Sequence, residues 1–122
     1  MRILDGGFGS GHPDLMTAGD TTLSAIFPTA RDHMTFPELV EEGFEPHKVA
    51  EAWIMGHPEP DLWVDISEHM EVSVKALTCH VSQMGGQSFE EVLERMTEWR
   101  SERGKGKGMP QADAFRRIYY RR

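Results

Sequence analysis

The sequence predicts an α/β protein of about four helices and two or three short strands, organised as half of a layered domain. Three observations predict it. Val49 to Met55 is a near-continuous apolar run with the length of a buried strand, as in a parallel sheet. Helix starts are marked by capping-box spacing at Thr35–Glu38 and Ser88–Glu91. The 122 residues suit one domain with a modest core, taken as 1–122.

Taken in order, residues 1–13 are Gly-rich and read as a loop. Asp14 is suited to cap a helix from about Leu15 to Ile26, with Leu15, Ala18, Thr22, Ala25 and Ile26 on one face, stopped by Pro28. The Thr35–Glu38 box opens a short helix to about Glu42, which Gly43 ends. The 49–55 run is followed by a Pro-rich turn and a second strand, Trp63–Ile66. Ser67 then caps a helix to about Gln83, striped by Met70, Val74, Leu77 and Val81. Gly85-Gly86 breaks the chain. The Ser88 box opens a helix to about Arg103 with Phe89, Leu93, Met96 and Trp99 or Arg100 on one face, a Glu91–Arg95 pair, and Gly104 at its end. GKGKG reads as a flexible linker in a basic tail, 104–122, and Ala114–Tyr120 as a last element leaning toward strand.

The net charge of −7 hides an asymmetry: residues 1–102 carry six Lys/Arg against nineteen Asp/Glu, whereas residues 103–122 carry seven Lys/Arg and one Asp. An acidic body repels phosphates, so nucleic acid is not expected as a partner. No apolar run reaches the ~20 residues of a membrane span. The single cysteine, Cys79, reads as a buried inert thiol in a reducing, cytoplasmic setting. Trp53 and Trp63, among apolar neighbours, read as core side chains rather than as the walls of a sugar site.

Four segments carry a resemblance: GSGHPDLMTAGDTTLSAIFPTARD, FPELVEEGFEPHKVAEAWIMGHPEPDLWVDIS, KALTCHVSQ and GMPQADAFRRI, in that order from about Gly9 to Ile118. Together they resemble the C-terminal half of the LmbE/PIG-L family, zinc-dependent N-deacetylases of GlcNAc-type and related amide substrates. The resemblance implies a partial Rossmann-like layered fold whose other strands come from an N-terminal half. The family's second motif reads His-x-Asp-His. His12 and Asp14 match its first and third positions, but the fourth, a zinc ligand in the family, is Leu15, which has no donor atom. The family's first motif, with two more zinc ligands and the general base, has no counterpart before Gly9.

The resemblance assigns the catalytic positions to His12, as general acid or oxyanion donor, and Asp14, as its tuner or as a helix cap. No metal ligand and no cofactor are expected on this chain alone, although the family uses zinc. The expected partners are a GlcNAc-type or related small molecule and either a second copy or a missing N-terminal half. The alternative is a non-catalytic pseudoenzyme or truncated module that binds a sugar or protein partner. His33, His47, His57, His69 and His80 are the candidates to replace the missing ligand. His57, after a strand end, is the best placed, and none has metal-ligand spacing to His12. His80-Val-Ser82-Gln83 matches a family block with a packing or substrate-rim role.

Overall fold

The computed structural model describes residues 12–120, so the loop reading of the first thirteen residues lies outside the described part as far as Gly11. Four helices and three strands follow, as the sequence predicts: α1 (Pro13–Ile26), α2 (Pro37–Glu41), β1 (Glu51–Met55), β2 (Leu62–Asp65), α3 (Met70–Thr78), α4 (Phe89–Gly104) and β3 (Ala112–Tyr119). The strand order is β1-β3-β2. The described residues divide into two compact units, one formed by residues 12–58 with 117–120, the other by Glu59–Arg116.

In the first unit, α1 begins at Pro13, whose fixed φ suits the first helical position. The cap is His12 rather than Asp14, because the His12 ring reaches the Asp14 backbone N–H. Asp14 lies in the first turn, where its carboxylate favours the helix dipole. The expected apolar face is left uncovered: no residue of α1 is buried and Leu15 is 58% exposed. The Thr35–Glu38 capping box does not form. Thr35 instead donates its hydroxyl proton to Asp32 Oδ2 (2.7 Å), while Asp32 Oδ1 accepts the Met34 N–H (2.9 Å). This local turn outcompetes the cap, and the chain enters α2 through Phe36 in the left-handed region (φ 58°). Gly43, at φ 93°, ends α2 with its N–H on the Val40 carbonyl.

β1 corrects a second expectation. It is an edge strand rather than one buried on both faces of a parallel sheet, and none of its residues is buried. Trp53 is therefore an exposed side chain, not a core one.

The second unit holds the core. β2 and β3 pair antiparallel, with Leu62 opposite Phe115 and Asp65 opposite Ala112. Ala112 and Ala114 are buried and alternate with half-buried neighbours, the period-two pattern of a strand with one covered face. Val74, Met84 and Val92 form the buried centre, flanked by Leu77, Phe89, Leu93 and Met96. The helix expected over 67–83 is shorter. Thr78 Oγ1 and Cys79 Sγ both turn back onto the Lys75 carbonyl, competing with the helical ladder, and α3 stops at Thr78. Val81 is thereby thrown into solvent and Met84 takes its place in the core. Cys79 is exposed, contrary to the buried-thiol reading, because it sits at this helix end.

The Ser88–Glu91 box forms in full: Ser88 Oγ accepts the Glu91 N–H and Glu91 Oε2 accepts the Ser88 N–H. That engages Glu91, while Arg95 donates to Gln87 Oε1. Gly104 remains inside α4, where a Cβ would run into the Met109 carbonyl oxygen. The GKGKG run is a defined turn rather than a free linker: Lys107 donates its N–H to the Gly104 carbonyl and lays its ammonium 3.6 Å from the Trp63 ring centre.

Candidate functional site

His12 and Asp14 stand together at the entrance of α1. The His12 Nδ1 accepts the Asp14 N–H at 3.2 Å and lies 4.0 Å from Asp14 Oδ2, with the two side chains 59% and 90% exposed. An Nδ1 that accepts a hydrogen bond has no proton of its own, so the neutral ring carries its proton on Nε2. That nitrogen is a donor. It suits a carbonyl or oxyanion oxygen, and it becomes a metal ligand only if the proton moves to Nδ1 and the cap is lost. Leu15, at the position expected to ligate zinc, brings hydrocarbon to the same turn. The residues here do not fit a zinc centre. Among the described residues no three His, Cys, Asp or Glu side chains gather into a metal-binding group, the other five histidines included.

Of those histidines, His57 follows the end of β1 and His80 precedes the helical turn Val81–Gln83, with its carbonyl accepting the Gln83 N–H. His80, Ser82 and Gln83 are all exposed, so none of the three packs into the core. Trp63 is half-buried under Lys107 and offers no open ring face to a sugar on that side.

The strongest polar constellation is one that sequence reasoning largely missed. Arg100, 8% exposed on α4, forks onto Asp113 of β3 through Nε–Oδ1 (3.1 Å) and Nη2–Oδ2 (3.2 Å). Its Nη1 donates to Ser73 Oγ (3.0 Å) and meets Met70 Sδ (3.5 Å) on α3. A buried guanidinium satisfied on both edges is a tie between elements. Asp113 is the one acid among residues 103–122, and that isolation was the available signal. Burial depresses the pKa of neighbouring Arg103, a shift that Asp113 opposes and Arg100 reinforces.

Beside β2, Asp65, Ser67, Glu68, His69 and Pro110 line a cavity of about 300 Å³. Ser67 gives both its hydroxyl (2.6 Å) and its N–H (2.9 Å) to Asp65 Oδ1, which holds the Asp65 carboxyl below its ordinary range. The same hydroxyl oxygen accepts the Gln111 N–H (3.2 Å). Through these bonds Ser67 braces the 65–67 turn and ties it to Gln111. Compared with models of known families and with curated proteins, the chain shows no match. Among the described residues no helix is long and apolar enough to cross a membrane.

Proposed function

We propose that this chain is a non-catalytic relative of the LmbE/PIG-L N-deacetylases, a module that acts by binding a sugar or protein partner. One observation carries the reading: the first turn of α1 pairs a capping His12 with an exposed Leu15, so the motif keeps a hydrogen-bond donor and lacks a ligand. Without an activated water, a general acid has nothing to assist, because its help of about 10²–10⁴-fold multiplies an existing attack. Elemental analysis after gel filtration and an acetate-release assay on N-acetylglucosamine derivatives test this. The expected result is no tightly held zinc and no release above background. Acetate release abolished by His12→Ala would overturn it.

A second reading, a deacetylase segment completed by a separate N-terminal half, is favoured by the His12 ring, whose side chain is 59% exposed. It requires that Leu15→His, supplied with a family N-terminal half, release acetate where the unaltered chain does not. A cytoplasmic location belongs to the same proposal and rests on the lone cysteine.

A further inference from the structure

The first unit carries a groove of about 280 Å³ between the end of α1, the turn at Thr29–Arg31 and α2. Two rings, Phe36 and Phe44, line it together with Leu39 and Val40. Backbone bonds hold these walls in place: the Phe44 N–H on the Leu39 carbonyl (2.9 Å) and the His47 N–H on the Ala30 carbonyl (2.7 Å). Phe36 and Phe44 are nonetheless 53% and 64% exposed, so ring surface stays available to a ligand. The described lining also holds two carboxylates, Asp32 and Glu45, with His47 and no Lys or Arg. Arg31, in the adjoining turn, is not part of that lining and lays its guanidinium 5.4 Å from the Phe27 ring centre.

Aromatic faces beside carboxylates attract a cation that presents an apolar surface. The kind of cation follows from the acceptors. Asp32 Oδ1 already takes the Met34 N–H and Oδ2 the Thr35 hydroxyl, which leaves Glu45 as the one carboxylate of the lining that no described residue holds. A primary ammonium or a guanidinium brings several N–H donors, and enclosing them short of acceptors is costly. A quaternary ammonium brings none, and its methyl groups carry the charge onto hydrocarbon and ring faces. We propose that this groove binds a small quaternary ammonium compound, the alkylated head against Phe36, Phe44, Leu39 and Val40 and its charge offset by Asp32 and Glu45. The site lies wholly within the first unit and is independent of the His12 reading.

Titration of the intact chain with choline chloride tests it, at ionic strength held constant with NaCl and followed by amide NMR. Saturable shifts centred on the amides of the groove lining are expected. The neutral carbon isostere of choline, dimethylbutanol, and the primary amine ethanolamine should each bind about tenfold more weakly, a difference within the range of a desolvated cation–π contact. Phe44→Leu keeps a hydrocarbon wall and removes a ring face, so it should weaken choline about tenfold and leave the isostere unchanged. Glu45→Gln should weaken choline severalfold, again without moving the isostere, whereas Glu41→Gln, outside the lining, should alter neither. Should Phe44→Leu fail to fold, the Glu45→Gln and isostere arms still decide. No saturable shift with choline overturns the proposal. So does equal binding of choline and its isostere, or a Glu45→Gln protein of unchanged circular dichroism that binds choline as before.

Discussion

Both units carry helices with an apolar stripe, but only Glu59–Arg116 covers them. In that unit Val74 and Val92 are almost wholly enclosed, whereas residues 12–58 contain no buried side chain. The difference separates two sources of helical order. α1 has fourteen residues and local devices: a histidine cap, an N-terminal proline and an acid in the first turn. Such devices contribute about 1 kcal/mol each, and helices near this length are marginal without packing. α4 has a full capping box and in addition a buried face.

The comparison breaks most visibly at Arg100. Arg100→Met leaves Asp113 half-enclosed without its partner, and about 3 kcal/mol of stability should go, read by denaturant unfolding. A loss under 1 kcal/mol would mean that the tie contributes little. Val92→Ala removes two methyl groups at a site with no exposure, and about 2 kcal/mol should be lost. A larger truncation on the other unit, Leu39→Ala, which removes three carbons, should cost under about 0.5 kcal/mol, because Leu39 is 44% exposed. Equal costs at the two positions would abolish the contrast. Ser88→Ala should cost about 1 kcal/mol and raise hydrogen exchange in the first turn of α4.

The smallest effect concerns acid. Asp65 and Asp32 are both held below the ordinary aspartate range by hydrogen bonds, Asp65 chiefly by the Ser67 hydroxyl and Asp32 chiefly by the Met34 N–H. A depressed carboxyl contributes stability above its unfolded value, about pH 4, and loses it as pH falls through the lower folded value. Acid unfolding of Asp65→Asn should start from a lower stability and show a shallower pH dependence below about pH 4. An identical slope would remove Asp65 from the account.

Element types were legible wherever the signal was local. Ser88 and Glu91 announced their box, and Gly43 and Pro28 marked stops. Competition was not legible. Nothing in the spacing of Thr35 and Glu38 shows that Asp32 takes the Thr35 hydroxyl, and nothing near Ser67 shows that Asp65 does the same. The 49–55 run misled because apolar composition reports burial capacity, while strand order decides whether the capacity is used. At the candidate site His12 and Asp14 were readable as a pair. Which of them caps the helix depended on ring reach, a question of ångströms rather than of residue type.

The enclosure of Arg100 also gives the molecule a covalent clock. Dicarbonyl reagents selective for arginine need to approach the guanidinium edge, and at Arg100 both edges are occupied by Asp113 and Ser73. Labelling of that residue, followed by peptide mass spectrometry, therefore counts openings of the α3–α4–β3 tie one molecule at a time. Arg116 on β3, whose side chain is 44% exposed, supplies the internal standard for reagent access.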